Sequence, residues 1–157
     1  MAWLELFRLK MMWGNYSFDY ACSLSRGTWV STNVECYMVN VYGPQNSAAK
    51  ANLWERLLQF MNINVGDYII FGDMNEVRNE NESFGSNFDR EEARVFNNFI
   101  GNAGLEQISL NGRRFTWMNK SATKMSRIDR IFVSLNAAVN MVEHKLVALN
   151  REHSDHL

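Results

Sequence analysis

Proline and cysteine are scarce in this sequence, and it has no long apolar run. One proline in 157 residues argues against a linker, a disordered tail or a proline-rich ligand. The two cysteines, Cys22 and Cys36, have no metal-ligand spacing, which favours reduced thiols. Charged residues interrupt the apolar opening Met1 to Trp13 well short of the roughly 20 apolar residues that span a bilayer. We therefore expect an intracellular protein without membrane association, and a nuclear location fits that expectation.

The sequence also has no excess of positive or negative charge. The 16 Lys and Arg residues oppose 17 Asp and Glu residues, so the formal net charge is -1. The net charge gives no support for a polybasic binder of nucleic acid or membranes, and any anionic substrate has to be held locally. Aromatic residues make up 13% of the chain, which predicts either a large buried area or exposed stacking rings. The length predicts one domain over 1–157, and the sequence carries no signal for an oligomeric state.

Strand and helix patterns follow one another from Val34 onward, and they predict an α/β layered domain. Helices are predicted to begin at a Ser47 cap and at Asp89, where Glu92 completes a capping box, and Gly104 suits the end of the second helix. Residues 1–13 are compatible with a helix, but residues 1–30 as a whole stay unplaced. The predicted strands are 34–42, 68–71, 105–110, 114–118, 127–134 and 144–149, with 114–118 and 127–134 as a pair joined by a polar loop.

Asp73 and Asn75, in the sequence GDMN, follow directly on the predicted buried strand 68–71. The carboxyl ends of strands are where α/β sheets usually place ligands. The same residues also suit an Asx turn, in which a side chain only accepts from the following backbone amides. Asp129 lies in an otherwise apolar strand, where an ionised carboxylate needs a partner. It either pairs with a flanking arginine or orients a histidine.

Three further groups are candidates. Asp155 and His156, next to His153, would suit proton transfer near neutral pH, or they belong to a solvated chain end. These residues fit no tight zinc spacing. The Tyr42 hydroxyl at a strand end suits a phosphate oxygen or half-buried packing. Positive charge concentrates between 113 and 130, interleaved with aromatic rings, which fits either a DNA-contacting surface or a solvated hairpin.

Four segments in this order resemble the endonuclease/exonuclease/phosphatase (DNase I-like) family. They are VNVYGP (39–44), FGDMNEV (71–77), RRFTWMNKSATKMSRIDRIFVS (113–134) and HSDH (153–156). More narrowly, they are similar to the endonuclease domain of plant LINE-type (non-LTR) retrotransposon polyproteins. The resemblance covers nearly everything from Val34 onward. It implies a four-layer α/β sandwich of two facing β-sheets flanked by helices, incomplete at both ends.

The resemblance also implies an activity, a cofactor and a set of residue roles. The activity is DNA phosphodiester cleavage with Mg²⁺, for which Mn²⁺ could substitute, and no small-molecule organic cofactor is expected. Asp73 would assist the attacking water, Asn75 and Tyr42 would contact the phosphate, Asp129 would orient His156 toward the phosphate, and Asp155 would bind the metal. Arg114, Trp117 and Arg127 would contact DNA. Hard oxygen ligands suit Mg²⁺, and in-line attack on a phosphodiester needs these functions.

Some motifs of the resembled family are not found in this sequence. A WN-x-RG-like segment and a strand ending in the metal-binding glutamate do not appear, although Glu5 is an early acidic residue. Because a missing metal ligand weakens transition-state stabilisation, we expect impaired catalysis. The alternative is a catalytically dead, family-like fragment that at most binds nucleic acid or a protein partner.

Overall fold

A computed structural model of the chain describes residues 7–10, 22–29, 34–109 and 114–140. These residues form two β-sheets and three helices, with a single 3-10 turn at Glu80–Glu82. The helices are α1 (Ser47–Ile63), α2 (Arg90–Asn102) and α3 (Leu135–Asn140). The strands are β1 (Phe7–Lys10), β2 (Cys22–Trp29), β3 (Val34–Tyr42), β4 (Asp67–Asp73), β5 (Ser83–Phe84), β6 (Leu105–Gln107), β7 (Trp117–Met118), β8 (Met125–Ser126) and β9 (Asp129–Ser134).

The larger sheet has the strand order β1-β2-β3-β4-β9-β6. At its centre β3 and β4 run parallel, and α1 makes the crossover between them. The other pairings are antiparallel, including β4 with β9. The smaller sheet has the order β5-β8-β7 and is also antiparallel. The predicted α/β class with two sheets and flanking helices is confirmed.

Helices α1 and α2 cover one face of the larger sheet. The alternation of a strand places Tyr37, Val39 and Val41 on this face, where they meet Tyr68 and Ile70 of β4. On α2 the spacing of three and four residues predicted a buried stripe, and its residues are buried as expected: Ala93, Phe96, Phe99 and Ile100. The helices meet through aromatic rings, because Trp54 of α1 lies 4.8 Å from Phe96 and 5.4 Å from Phe99 between ring centroids. Full burial of each such ring contributes about 1.5–3 kcal/mol.

Two predictions about helix caps are wrong and a third is confirmed. The cap of α1 is Asn46, whose side chain accepts from the Ala49 backbone amide, and not Ser47. Glu92 does not complete a capping box, because its carboxylate binds Lys50 and Ser47 across the α1–α2 contact. The predicted cap at Asp89 is confirmed, since this side chain accepts from the amides of Glu91 and Glu92.

The predicted pairing of two strands is also wrong. Segments 114–118 and 127–134 do not pair with each other, since Trp117–Met118 pairs with Met125–Ser126 in the smaller sheet while Asp129–Ser134 joins the larger one. Phe7–Lys10, in the part of the chain that the sequence left unplaced, is a strand that pairs with β2. The predicted strand 144–149 lies outside the described residues. In the described part of the chain, no helix has the length and apolar character needed to cross a membrane.

Candidate active site

The candidate site lies where β4 ends and β9 begins. In the antiparallel pairing of these strands Asp73 stands directly opposite Asp129. Opposed residues of an antiparallel pair have Cα atoms about 4.5–5.5 Å apart, so two carboxylates share this edge of the sheet. Asp73 is buried and Asp129 half-buried. Opposed residues of an antiparallel pair project to the same face of the sheet, so both side chains lie on one face beside the turn that follows β4.

The turn after β4 holds Asn75 in an unusual backbone conformation. Asn75 has a φ of 48°, in the left-handed region that few residues other than glycine adopt. Asp73 Oδ1 accepts from the Asn75 backbone amide at 2.8 Å, so the predicted Asx turn is present. The Asn75 Nδ2 group donates to the Gly43 carbonyl at 2.6 Å, and because an amide nitrogen carries two hydrogens, one remains for a ligand. Asp73 and Asn75 therefore form the Asx turn and still present side-chain groups that can bind a ligand.

Gly43 lets two chain segments approach each other closely at this turn. Its amide donates to the Asp73 carbonyl at 2.7 Å. A Cβ atom on Gly43 would lie 2.3 Å from the Met74 carbonyl oxygen, far inside van der Waals contact. Gly72 is equally constrained, because it has a φ of 127° and a Cβ there would lie 2.1 Å from the Val41 carbonyl oxygen. The motifs YGP and FGD thus need their glycines for steric reasons.

A cleft of about 360 Å³ opens beside this turn. Four of the predicted site residues line it: Tyr42, Asp73, Asn75 and Trp117. Tyr42 ends β3 with 56% of its surface exposed, so its hydroxyl is accessible in the cleft. The opposite wall is a row across the smaller sheet, formed by the register partners Ser83, Ser126 and Trp117. The cleft therefore combines an acidic turn with a wall of hydroxyl groups and one indole ring.

Lys50, Glu76 and Glu92 form an ion cluster that lines the same cleft, and the sequence analysis did not identify it. The Lys50 ammonium is bound to Glu76 at 2.6 Å and to Glu92, and its side chain is 7% exposed. Burial alone would lower the pKa of Lys50, but its hydrogen bonds to both glutamates outweigh burial and raise it above the ordinary value. Burial raises the pKa of Glu76, whereas Lys50 and Ser47 overcome the burial of Glu92 and lower its pKa.

Thr116 and Arg130 fix the strand that carries Asp129. The Thr116 hydroxyl oxygen accepts from the backbone amides of Ile128 and Asp129, both at 3.0 Å. Arg130 points to the other face of the sheet, as strand alternation requires, and its guanidinium pairs with Glu82 there. The threonine of FTW and the second arginine of RIDR do not line the cleft themselves, but both bind residues that do, since Thr116 accepts from the Ile128 amide and Arg130 donates to the Glu76 carbonyl at 3.3 Å.

Of the three predicted DNA-contacting residues, one lines the cleft and two do not. Trp117 lines the cleft, whereas Arg114 and Arg127 do not. Arg114 is exposed and donates to the Asn81 carbonyl through Nε at 3.0 Å and Nη2 at 2.6 Å. Arg127 is half-buried, and its Nε has no hydrogen-bond partner among the described residues. Asp155 and His156 lie outside the described residues.

The cleft has the donor type that a hard cation prefers, but not a complete ligand set. Asp73 and Asp129 offer carboxylate oxygens at one sheet edge, and oxygen ligands suit Mg²⁺. Within residues 36–109 and 114–139, no group of three or more histidine, cysteine or acidic side chains is arranged to hold a metal ion. A metal centre at this edge would therefore need a further ligand, for which Asp155 is the predicted residue.

The sequence matches a known protein family, and the fold is similar to solved structures. The family profile described as endonuclease-reverse transcriptase matches residues 36–157. The fold is similar to the endonuclease domain of TRAS1, a telomere-specific non-LTR retrotransposon, with a TM-score of 0.57 and 16% identity over 83% of this chain and 57% of that one. No curated protein matches the sequence.

Two further solved structures have the same fold. One is the 3′ phosphatase NExo from Neisseria bound to a product DNA hairpin, with a TM-score of 0.58 and 20% identity over 85% of this chain and 61% of that one. The other is the AP endonuclease LMAP from Leishmania major, with a TM-score of 0.55 and 12% identity over 75% of this chain and 47% of that one. The chain thus spans between 47% and 61% of the length of these three proteins.

Proposed function

Because the chain belongs to the endonuclease-reverse transcriptase family, as its motifs predicted, we propose that it derives from a LINE-type retrotransposon endonuclease and cleaves DNA phosphodiester bonds. The observation that carries the proposal is the arrangement of Tyr42, Asp73 and Asn75 around one cleft, with Asp129 in register with Asp73. A nuclear location belongs to the same proposal, since the substrate is DNA.

The predicted site residues have separate roles in the proposed reaction. Asp73 orients the attacking water and accepts its proton, which requires an ionised carboxylate at the cleft wall. Asn75 donates its remaining amide hydrogen to a phosphate oxygen, and Tyr42 donates its hydroxyl. Asp129 orients His156, so that the imidazole faces the phosphate with a fixed tautomer. Asp73 and Asn75 are already held by the contacts of their turn, and preorganised donors stabilise developing charge most effectively.

A divalent cation, Mg²⁺ or Mn²⁺, completes the proposal. Asp155 would hold it beside the carboxylates of β4 and β9, and when bound it would neutralise phosphate charge. Trp117 would stack on a base, while Arg114 and Arg127 would contact the DNA backbone. The 157 residues contain neither the WN-x-RG-like segment nor the glutamate motif, so we propose that the chain by itself cleaves slowly.

Nicking of supercoiled plasmid with Mg²⁺ tests the proposal. The D73N variant keeps the size of the side chain and its acceptor for the Asn75 amide but removes the base, so we expect nicking to fall roughly 10²- to 10⁴-fold. H156A is expected to lose activity similarly. E55Q is the matched control, because Glu55 is an exposed acid on α1 outside the cleft, and this variant should nick like the parent chain.

Two outcomes would contradict the proposal. Equal nicking by the parent chain, D73N and H156A would assign the activity to a contaminant and end the enzyme interpretation. If none of the proteins nicks but the parent chain retains DNA in a binding assay, the alternative of a non-catalytic binding fragment is supported instead.

A further inference from the structure

Lys50 contacts the main chain of Asn75 as well as the two glutamates. Its ammonium donates to the Asn75 carbonyl oxygen at 3.3 Å, in addition to Glu76 and Glu92. An ammonium has three hydrogens, so each of them has an acceptor here. Lys50 belongs to α1, Glu92 to α2, and both Asn75 and Glu76 to the turn after β4. One buried cation therefore ties the two covering helices to the turn of the candidate active site.

Three contacts hold Asn75 in its conformation. Asparagine enters the left-handed region more readily than most residues other than glycine, and the contacts around Asn75 select this one conformation. Its amide is held by Asp73, its Nδ2 by Gly43 and its carbonyl by Lys50. Of these three contacts, only the one from Lys50 comes from a helix. Lys50 is therefore the contact that links the main chain of Asn75 to the position of α1.

The glutamates hold Lys50 itself in place. Glu76 accepts from Lys50 with Oε2 and from the Val77 amide with Oε1 at 3.0 Å, so its carboxylate is fixed on both sides. Glu92 accepts from Lys50 with one oxygen and from the Ser47 hydroxyl with the other. A buried ammonium without such partners would be expensive, which explains why two carboxylates surround a single lysine.

We propose that Lys50 is a positioning residue for the active site: held by Glu76 and Glu92, it fixes the Asn75 carbonyl and thereby aims the Asn75 amide at the phosphate. This inference rests on the proposed function for its effect on catalysis. It also predicts an effect on Asn75 that does not depend on catalysis, because loss of Lys50 frees the turn whether or not DNA is cleaved.

The test compares the full chain with K50M, K50R and R94M. K50M keeps the length and apolar stem of the side chain without its charge. K50R retains charge and donors, and R94M removes a cation from an exposed ion pair on α2 as the matched control. We expect K50M to lower the kcat of plasmid nicking roughly 10- to 100-fold, the loss typical of a misplaced contact, with KM changed by less than about twofold. K50R should restore at least part of kcat, and R94M should behave like the parent chain.

Hydrogen exchange of the Asn75 backbone amide is the readout that does not require activity. We expect exchange at this amide to be roughly tenfold faster in K50M than in the parent chain, while amides in the centre of β4 keep their rates. Unchanged kcat together with unchanged Asn75 exchange in K50M would overturn the positioning role. A chain that never nicks DNA but shows the faster exchange in K50M would refute the proposed function and leave the positioning of Asn75 supported.

E92Q replaces K50M in the test if the latter does not fold. It removes the charge of one Lys50 partner whose side chain is 23% exposed, and it leaves Glu76 in place. A smaller loss of kcat and a smaller increase of Asn75 exchange are expected in the same directions. An E92Q chain with parental kcat and parental exchange would overturn the proposal in this form as well.

Discussion

Replacing Glu82 with alanine removes the carboxylate that neutralises a buried arginine. The Arg130 side chain has no solvent exposure, and that of Glu82 is 14% exposed. The pair is bidentate, with Arg130 Nη1 to Glu82 Oε1 at 3.1 Å and Nη2 to Oε2 at 2.6 Å. The Arg78 backbone amide also donates to Glu82, at 2.7 Å. E82A therefore leaves a guanidinium buried without its counter-charge and an amide without its acceptor.

The expected cost follows from these contacts. Removing one partner of a buried ion pair typically costs about 3–5 kcal/mol, because the remaining charge stays buried. Arg130 keeps three neutral acceptors, which are Gln107 Oε1 and the carbonyls of Arg127 and Glu76. These contacts limit the loss, so we expect the lower part of that range, about 3 kcal/mol at pH 7.

The pH dependence of stability shows whether loss of the Glu82–Arg130 ion pair causes the destabilisation of E82A. Burial would raise the pKa of Glu82, but the hydrogen bond and charge of Arg130 outweigh it and hold this pKa below its ordinary value of 4.5. A carboxyl group with a lowered folded-state pKa stabilises the fold above its ordinary pKa, and this stabilisation is lost as pH falls through the folded-state pKa. The free energy of unfolding should therefore decline less steeply in acid for E82A than for the parent chain.

Urea unfolding, followed by tryptophan fluorescence across an acid-to-neutral pH series, measures both effects. E91A is the control, because it removes the acid of the exposed Glu91–Arg94 pair, and exposed pairs contribute little. If E82A at neutral pH is no less stable than E91A, or if its stability falls in acid as steeply as that of the parent chain, then Glu82 does not neutralise Arg130 in the way described.

Two further substitutions test the turn and the far end of β4. G43A places a Cβ atom 2.3 Å from the Met74 carbonyl oxygen. We expect this overpacking to lower the free energy of unfolding in urea by about 1–3 kcal/mol and to slow nicking as the turn shifts. Parental stability together with parental nicking would contradict the steric role of Gly43. Asp67 is buried with an Oδ2 that has no hydrogen-bond partner among the described residues, and burial raises its pKa above 3.8. Its stabilising contribution is present below that ordinary pKa and is lost as pH rises through the folded-state value. D67N should therefore have a higher melting temperature than the parent chain at pH 7, with the difference vanishing in acid, and a lower melting temperature at pH 7 would refute this.

The elements with a strong apolar period were predictable from the sequence. The strand 34–42 is confirmed as β3, and the stripe of α2 is buried as its spacing predicted. Such patterns work because one face of each element has to leave water, whatever lies opposite. The cap of α1 was misplaced by one residue, since Asn46 and Ser47 are both good capping residues. The Ser47 hydroxyl donates instead to Glu92, a partner 45 residues away.

The assignment of strands to sheets was not predictable in the same way. Residues 114–134 carry two strand-like runs around a polar loop, which is the local pattern of one hairpin. A hairpin is present, but its paired strands are only β7 and β8, and the Asn119 side chain accepts from the Lys124 amide across the six-residue loop between them. Asp129 onward continues into the larger sheet, where β4 is the partner. The position of β4 is set by contacts distant in sequence, which no local pattern contains.

The residues of the candidate site also divide into those that a local sequence pattern predicts and those that depend on tertiary contacts. Asp73, Asn75 and Tyr42 were identified because each stands at or directly after the end of a strand, a local feature. The ion cluster was missed because its three residues lie 16 to 42 positions apart. Only the packing of α1, α2 and the turn after β4 brings these three residues together.

A signal for that cluster was nevertheless present in α1. Lys50 lies three and four residues before Leu53 and Trp54, and seven before Leu57, and all of these are on the buried face of the helix. A lysine in an apolar stripe either extends its ammonium to solvent or meets an acid inside. Since Lys50 begins the stripe and the helix follows the strand that ends in Tyr42, the acid is expected near the strand ends, where GDMNE supplies Glu76. Helix α1 therefore packs on the sheet and also places Lys50 against the turn after β4. The packing of α1 and the geometry of the candidate site depend on each other for this reason.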